Sequence, residues 1–508
     1  MRRFLLAAVC LLTTTMPVAS QTLHVSLRQD LDNLDPTLTT SYVARIVLAG
    51  LCDKLFDIDA QLNIVPQLAT AYEWSDDRTL ILHLRLGVTF HDGEPLDADA
   101  VKYSLQRHLT LPGSFRKSEI SSIDHIDILD PATVRIALKT PSGAFLAQLT
   151  DRSGMIYPPK ATEAAGQDFA QHPVCSGPFS FVDRVAQDHV TLTRFPDYWD
   201  AKSIHFDKVT YQILPDNSVR FASLKAGASD ITEYLAPTDV AAVKADPRLK
   251  LAISDALGYI GLNNNLNQGS RSETPYGKNA LVRAALDAAI DRQALVDVVF
   301  NGMFAPNVQP VPPNSPFYDA TLSPPPRDLA KAKALLRQAG VTPPVMLELL
   351  TPNQPDTKQA AEVIQSMAAE AGFDIRIMAI EMTSATQVQQ RGDYQAYLNG
   401  WSGRVDADGN TFQFLRTGQG NNFTGYSNPA VDTLLEQGRA LTDIAQRRVA
   451  YDQAWQTLRR DLPITYLYSP RNIVAMTAKL NGFRPVPDGL IRLQGLGMPQ
   501  LLGMTQTK

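Results

Sequence analysis

Segments in which hydrophobic and polar residues alternate dominate the first half of the chain. Alternation places every second side chain on one face, and this predicts half-buried β-strands. Helical periods occur at 43–55 and at 217–226, where Gly227 suits the left-handed end of a helix. The predicted strands cover residues 23–27, 80–86, 133–138, 190–194 and 208–214.

The second half has longer helical segments. The period over 280–300 predicts one amphipathic helix, and Asp328 predicts the start of another over 329–339. The proline-rich stretch 306–326 is expected to be a surface loop, because proline cannot supply backbone donors to regular structure. A β-α-β unit with parallel strands is expected next, followed by two helices and a strand. These six elements cover 345–350, 357–371, 373–381, 430–439, 443–460 and 464–468.

A change of character at 256–265 indicates a crossing between two lobes. There an apolar strand, 259–262, runs into three asparagines. A chain of 508 residues also exceeds what one hydrophobic core usually organises. We therefore predict an α/β protein with a first lobe over 21–257, a second lobe over 258–477 and a return to the first over 478–508.

The composition excludes several classes of protein. The chain is 44% apolar and 19% charged with a net charge of -5, which is typical of a globular protein. No stripe of lysine and arginine recurs, so nucleic acid is not an expected partner. We expect the protein to be a monomer.

The N-terminus has the pattern of an export signal. Arg2 and Arg3 precede an apolar stretch over 4–12, and small residues end at Ser20, near which we expect cleavage. The apolar stretch is too short to span a bilayer. Whether export uses the general or the twin-arginine route stays open.

Two cysteines, Cys52 and Cys175, remain after this signal is removed. An oxidising compartment permits a disulfide between them, and two separately buried thiols are an equal alternative. Two cysteines without suitably spaced histidines do not make a metal site, so no metal is expected.

Motifs for catalysis or cofactors are missing from the sequence. Gly400-Trp401-Ser402-Gly403 lacks the spacing of a serine-hydrolase elbow, and no zinc-protease, phosphate-loop or dinucleotide pattern occurs. Residues 406–410 resemble the start of a calcium loop, but the glycine comes early and Thr417 stands at the twelfth position. We therefore predict a turn that lines a cleft, and neither a catalytic residue nor a cofactor.

Several separated stretches carry a stronger signal. Residues 84–105 combine a strand, a turn at His91-Asp92-Gly93 and a helix that begins at Asp97. This stretch resembles the signature of the bacterial extracellular solute-binding proteins of family 5, which serve peptide-type ABC importers. The other matching stretches, in the family's order and spacing, are 34–36, 174–179, 263–264, 281–300, 329–340, 400–401 and 426–429.

The resemblance implies a two-lobed periplasmic binding protein of class II, cluster C type. Its mixed β-sheets would be flanked by helices, with an extra subdomain at about 50–185 in the first lobe. Such a protein captures a small peptide or an amino-acid conjugate and delivers it to a membrane permease without chemical change. A cleft with flexible crossings suits this task.

Departures from the dipeptide branch of the family concern the solute. That branch has an aspartate after Gly-Trp that binds the peptide amine, and here Arg404 stands at that place. Because arginine binds carboxylates through paired hydrogen bonds, an acidic solute is expected, such as glutathione, a γ-glutamyl peptide or an opine-like conjugate. An equal alternative is that Arg404 is solvated or pairs with Asp406 or Asp408.

The resemblance also implies a set of ligand-binding residues. Trp401 is expected in the cleft by its matched position, and Tyr42 is expected on the opposite wall unless it packs in the core. A glycine at 177 would let a ligand or another chain approach the backbone closely. The full predicted set is Tyr42, Cys175, Ser176, Gly177, Trp401, Ser402, Arg404 and Asp406.

Two alternative functions stay open. The same scaffold could bind an oligosaccharide or a metal chelate, which a screen of binding by tryptophan fluorescence would reveal. A secreted hydrolase of small amides is the alternative from another class. Turnover of a bound compound would favour the hydrolase, and release of that compound intact would count against it.

Overall fold

The first of two large β-sheets has seven strands. In the computed structural model, which describes residues 21–499, these are β1 (Thr22–Leu27), β8 (Phe179–Val185), β9 (His189–Arg194), β10 (Lys208–Ile213), β11 (Ile231–Thr232), β12 (Leu249–Asp255) and β19 (Arg471–Thr477). Their order across the sheet is β12-β19-β11-β1-β10-β9-β8. The central strand β1 pairs in parallel with β10 and β11. Leu23, Val25 and Leu27 on its alternating positions are fully buried, as the hydrophobic pattern predicts.

A smaller antiparallel sheet precedes β8 in the chain. Its region contains β2 (Phe56–Ile58), β3 (Ile64–Pro66), β4 (Ala69–Asp76), β5 (Thr79–Leu84), β6 (Ile123–Asp130) and β7 (Thr133–Leu138). Four of these form a sheet of order β4-β5-β7-β6, and β2 pairs with β3. Leu80 and Leu82 of β5 face Val134 and Ile136 of β7 in a separate core. This sheet falls within the stretch where the extra subdomain is expected.

The second large sheet has six strands and mixed pairing. They are β13 (Tyr259–Asn264), β14 (Ala305–Pro306), β15 (Val345–Pro352), β16 (Phe373–Ile380), β17 (Ala396–Trp401) and β18 (Ile464–Ser469). Their order is β14-β18-β13-β17-β15-β16. Because β15 is parallel to both β16 and β17, the predicted β-α-β unit is confirmed.

Helices cover the faces of both large sheets. One prediction is wrong: 280–300 forms two helices rather than one, because the carboxylate of Asp291 accepts a hydrogen bond from Ala294 N at 2.9 Å and caps a new helix. The helices are α1 (Tyr42–Leu51), α2 (Ala98–Thr110), α3 (Phe145–Gln148), α4 (Pro159–Ala165), α5 (Asn217–Ala226), α6 (Val240–Ala245), α7 (Pro275–Lys278), α8 (Ala280–Ala289), α9 (Arg292–Phe300), α10 (Leu329–Gln338), α11 (Pro355–Ala369), α12 (Met382–Gln390), α13 (Asp408–Leu415), α14 (Pro429–Ala440) and α15 (Ile444–Asp461).

The turn and the helix of the signature stretch are confirmed, but its strand is wrong: β5 ends at Leu84, a turn with Gly87 at a φ of 74° follows, and Thr89 forms only an isolated bridge with Pro95. Phe90 N donates to Glu94 O at 2.8 Å, and Gly93 between them has a φ of 86° that favours glycine. Asp97 then caps α2 by accepting a hydrogen bond from Ala100 N at 3.1 Å. This local chemistry fixes the entry of α2 onto the antiparallel sheet.

Two adjacent crossings join the large sheets. One leads from β12 to β13 and the other, at Pro470, from β18 to β19. Ala256 N donates to Pro470 O at 3.1 Å, so the crossings are hydrogen-bonded to each other. We call residues 21–257 and 470–499 the first lobe and residues 258–469 the second lobe. Because β19 already belongs to the first sheet, the return precedes the expected residue 478.

The two ends of the chain, 1–20 and 500–508, lie outside the described residues. The predicted export signal and its cleavage near Ser20 fall in this part. Between residues 21 and 499, no helix has both the length and the apolar character that crossing a membrane requires.

Candidate functional site

A cavity of about 470 Å³ lies between the two lobes, and we call it the solute cavity. Arg28 and Glu233, which directly follow β1 and β11, line it from the first lobe, and Trp401 at the end of β17 lines it from the second. Ligands of α/β proteins commonly bind at the carboxyl ends of strands. The volume is within the range of about 300–1,000 Å³ that small-molecule sites occupy.

Two tyrosine rings hold Arg28 at the wall of this cavity. Its guanidinium carbon lies 4.6 Å from the centre of the Tyr234 ring and 5.3 Å from that of Tyr42. Ser41 caps α1 by accepting a hydrogen bond from Ala44 N at 3.3 Å, and this places Tyr42 in the first turn beside the cavity. Cation–π contacts of this kind fix the guanidinium plane.

Glu233 balances the charge of Arg28. Its Oε1 accepts a hydrogen bond from Arg28 N at 3.0 Å and lies 3.4 Å from Nε. Burial alone would lower the pKa of Arg28, but the carboxylate of Glu233 raises it above its ordinary value. Neither Nη nitrogen of Arg28 donates a hydrogen bond to any atom of residues 21–499. The guanidinium is therefore charged, held in place and available to an acceptor in the cavity.

Hydrogen bonds between the lobes enclose the cavity. Asp356, in the first turn of α11 on the second lobe, accepts hydrogen bonds from Asn217 Nδ2 at 2.8 Å and from the hydroxyl of Tyr234. Gln354 of the second lobe donates to the side chain of Gln29 on the first. The structure is thus one in which the lobes are in contact around the site.

Trp401 and Ser402 line the cavity, as the family resemblance implied for their positions. The indole Nε1 of Trp401 donates to Asn410 Oδ1 at 3.1 Å, and its ring packs edge-on against Phe414. Ser402 Oγ accepts a hydrogen bond from Arg45 Nη1 at 3.0 Å. The ring of Trp401 therefore forms part of the cavity wall and is held in place by Asn410 and Phe414.

Arg404 does not line the cavity. It is buried between the lobes, with Nη2 3.4 Å from Asp151 Oδ1 and 3.7 Å from Glu119 Oε1 of the first lobe. The preceding Gly403 has a φ of 84° and lies against Leu257, where a Cβ would come within 2.1 Å of the Leu257 carbonyl carbon. The expected contact of Arg404 with the solute has no counterpart in this geometry, and the alternative of a solvated side chain is wrong.

The aspartates of the turn that follows Arg404 form ion pairs with other arginines. Asp406 accepts hydrogen bonds from both Nη nitrogens of Arg447 at 2.7 and 2.6 Å, and Asp408 accepts from Arg439 Nε at 2.8 Å. Neither aspartate pairs with Arg404, so that alternative is also wrong. No residue of this turn lines the cavity, and Asp406 is therefore a structural residue of the second lobe.

The stretch from Cys175 to Gly177 also lies outside the cavity lining. Cys175 forms a disulfide with Cys52. Gly177 N donates to Leu51 O at 2.9 Å, and a Cβ on Gly177 would lie 2.5 Å from the carbonyl carbon of Leu51. Because Gly177 has no side chain, the end of α1 can pack against it. The buried Ser176 lies in the same packed region.

Sequence reasoning missed the residues that dominate the solute cavity. Arg28, Glu233, Tyr234 and Asp356 come from segments far apart in the chain. The sequence did contain one indication of this site, because Arg28 and Glu233 are charged residues that directly follow parallel strands. Pairing them across 205 residues required the register of β1 with β11.

Comparison with known proteins identifies the family. The profile described as "Bacterial extracellular solute-binding proteins, family 5 Middle" matches residues 63–423. The protein belongs to this family. It is 30% identical to the glutathione-binding protein GsiB of Pectobacterium atrosepticum over 97% of this chain and 98% of that protein. It is also 31% identical to di/tripeptide-binding protein 1 of Pseudomonas aeruginosa over 84% of each chain.

Solved structures of family 5 type share the two-lobed fold. The binding protein AgaA from A. tumefaciens R10, in complex with agropinic acid, has a TM-score of 0.84 at 27% identity, over 94% of this chain and 98% of that one. DppA from Helicobacter pylori, in complex with the peptide STSA, has a TM-score of 0.86 at 24% identity over the same shares. The predicted fold class is confirmed.

Proposed function

We propose that this protein is exported to the periplasm, where it captures a small peptide or amino-acid conjugate with a free carboxylate. It delivers this solute unchanged to the membrane permease of an ABC importer. The observation that carries the proposal is the guanidinium of Arg28, which is held between two tyrosine rings with both Nη nitrogens available beside the cavity. Arginine in this form binds a carboxylate through two parallel hydrogen bonds.

The opposite wall suits the peptide-like part of such a solute. Amide side chains of the second lobe line the cavity, and each both donates and accepts hydrogen bonds. They match amide groups of a solute in either orientation, and Trp401 supplies an apolar surface beside them. The lining amides of this lobe include Asn263, Gln387, Gln390 and Asn399.

The relatives support the same class of solute. Glutathione, di- and tripeptides and agropinic acid are the compounds that their names and complexes give. The acidic solute expected from Arg404 is thus retained, but Arg28 replaces Arg404 as the residue that would bind its carboxylate.

The cavity offers little support for the other functions. No histidine of residues 21–499 lines it, so a serine or threonine there lacks a neighbouring imidazole base for hydrolysis. The hydroxyl of Ser402 accepts its hydrogen bond from Arg45. Tyr42 and Tyr234 carry the guanidinium of Arg28 over their rings, which leaves a saccharide only the remaining aromatic side chains of the lining, such as Trp401, for stacking.

Calorimetry with matched pairs of compounds tests the proposal. Mass spectrometry of the compound released from purified protein identifies a lead, and glutathione, tripeptides and an opine are the starting set. Each is compared as the free acid and as the carboxyl amide. We expect the wild type to prefer the acid by at least tenfold, and Arg28→Gln to lose that preference.

Arg471→Gln is the matched control, because Arg471 also lines the cavity but pairs with Asp255 at 2.8 Å and is half exposed. This variant should keep the preference for the acid. Equal binding of acid and amide by the wild type, or binding of a neutral saccharide alone, would contradict the proposal.

A further inference from the structure

Behind Trp401 and Ser402 lies a group of buried charges that we call the arginine cluster. Five of its residues belong to the first lobe, and Arg404 reaches it from the second. Each of the six is at most 5% exposed. The members are Arg45, Arg116, Glu119, Asp151, Arg152 and Arg404.

The cluster contains four guanidinium groups and two carboxylates. Asp151 accepts a hydrogen bond from Arg45 and lies 3.2 Å from Arg152 Nε and 3.4 Å from Arg404 Nη2. Glu119 accepts one from Arg116 Nη1 at 2.6 Å. These contacts bring all four head groups to the same two carboxylates and leave two positive charges in excess.

No neighbouring carboxylate of residues 21–499 forms an additional ion pair with the cluster: Asp32 accepts hydrogen bonds from Thr39, Thr40 and Ser41 instead. Asp408 is held by Arg439, and Asp488 is held by Arg492, which also binds Asp57. Burial, with nearby Arg116 and Arg107, lowers the pKa of His108 to about 3, so that this imidazole is neutral. Burial lowers the pKa of both Arg404 and Arg152 to about 10, and both therefore remain charged at neutral pH.

Several nitrogens in the cluster donate no hydrogen bond to the protein, although Arg404 Nη2 lies 3.4 Å from Asp151 Oδ1. Arg404 has two of them, Nε and Nη2, and the other three arginines have one each. All five are buried and donate no hydrogen bond to any atom of the described chain, residues 21–499. A buried charge or donor that has no partner is strongly unfavourable. Water could accept these hydrogen bonds, but it would leave the two positive charges unbalanced. The nitrogens are Arg45 Nε, Arg116 Nε, Arg152 Nη2, Arg404 Nε and Arg404 Nη2.

We propose that the arginine cluster binds one small anion, a halide ion or a carboxylate group, between Arg404 of the second lobe and the arginines of the first. An anion there accepts hydrogen bonds from the unpartnered nitrogens and reduces the net charge of the buried group. Because it contacts both lobes, it stabilises the arrangement in which they are in contact.

Access to the cluster is through the solute cavity. Arg116 and Ser402 line that cavity, and Ser402 Oγ accepts a hydrogen bond from Arg45. The anion therefore has two sources, a free halide trapped when the lobes meet or a second carboxylate of the solute itself. The latter source rests on the proposed function, whereas the former does not.

Anomalous scattering from bromide distinguishes these sources. Crystals in which Arg404 contacts Asp151 are grown or soaked with sodium bromide, with and without a bound solute. A bromide peak within 3.5 Å of Arg404 Nη2 or Nε establishes a free anion, whether or not any solute binds. Solute density with a carboxylate in the cluster and no bromide establishes the second source. Water molecules alone in the cluster overturn the proposal.

Solution measurements give an independent result. For a free halide, the affinity for the solute should rise up to tenfold for each tenfold increase in chloride, with gluconate used to hold the ionic strength constant. Arg404→Gln should remove this dependence. Arg416→Gln is the control, because Arg416 is a second-lobe arginine that pairs with the exposed Glu436 away from the cluster, and it should retain the dependence.

The two tests decide the proposal together. For a carboxylate of the solute, chloride has no effect and Arg404→Gln selectively weakens the acidic solute that reaches the cluster. If Arg404→Gln does not fold, the bromide crystals of the wild type decide alone. Water molecules alone in the cluster of both crystals overturn the inference, even where solute binding through Arg28 is intact.

Discussion

The solute cavity and the arginine cluster use the same residue type in different ways. Arg28 faces one carboxylate, Glu233, and its side chain is 29% exposed, whereas the side chain of Arg404 is 3% exposed among three other arginines. Both contact aromatic rings. The difference shows that proximity to a family motif does not decide which arginine lines the cavity: Arg28 lines it, whereas Arg404 is buried against Asp151 and Glu119 of the other lobe.

The largest expected effect is on the stability of the cluster. Asp151→Asn removes one of two carboxylates among four guanidinium groups, and we expect a loss of about 3–5 kcal/mol in the free energy of unfolding. Urea denaturation measures this loss. Asp246→Asn is the control, because its partner Arg248 is mostly exposed, and its effect on the free energy of unfolding should be much smaller. Equal losses in the two variants would show that the cluster is not a buried charge network.

The next largest effect is on solute affinity in the cavity. Arg28→Gln keeps a polar side chain but removes the charge, and we expect the Kd of an acidic solute to rise about 30- to 150-fold, or about 2–3 kcal/mol. Calorimetry measures it. Arg471→Gln should change the Kd less than about threefold, since an exposed ion pair contributes little. A small change in Kd for Arg28→Gln together with a large change for Arg471→Gln would mean that Arg471, and not Arg28, binds the carboxylate.

Trp401 lies between the two regions and connects them. Its ring lines the cavity and lies 4.3 Å from the guanidinium carbon of Arg404. Trp401→Leu should weaken solute binding about fivefold, or about 1 kcal/mol, through lost aromatic contact. Trp74→Leu, a change of a partly exposed tryptophan on β4, should have no effect on affinity. Unchanged binding in Trp401→Leu would remove the ring from the site.

The smallest effect near neutral pH concerns the titration of Asp151. Burial alone would raise the pKa of this carboxyl, but Arg404, Arg45 and Arg152 hold it well below its usual range. Its stabilisation is therefore fully present above the unfolded-state pKa of about 3.9 and is lost as the pH falls toward the lower folded value. The difference in unfolding free energy between the wild type and Asp151→Asn should be constant from pH 8 to 5 and shrink below about pH 4. A difference that already shrinks between pH 7 and 5 would mean that the carboxyl is not held ionised by these arginines.

The sequence predicted the parts of this fold that depend on local chemistry. Alternation located β1 and β7, and Asp97 located the start of α2. The break between α8 and α9 was hidden, because residues on both sides share one hydrophobic period. Only the cap formed by Asp291 separates them.

The candidate site was predictable only in part, for a physical reason. Trp401 could be placed through a matched motif and Tyr42 only as one of two equal alternatives, but Arg28 and Glu233 meet only after β1 and β11 pair. Arg404 was misplaced because its partners, Asp151 and Glu119, belong to the other lobe and lie far from it in the chain. Contacts between segments hundreds of residues apart leave no pattern in either segment alone.

The hydrogen bond between Ala256 N and Pro470 O joins the two links between the lobes to each other. Because the two links are adjacent, a hinge motion that separates the lobes would pivot about them. Binding of a solute and closure of the two lobes are then separate properties of this protein. A compound that binds beside Arg28 and prevents the hydrogen bond between Gln354 and Gln29 would occupy the cavity but leave the lobes apart, as in the protein without a solute.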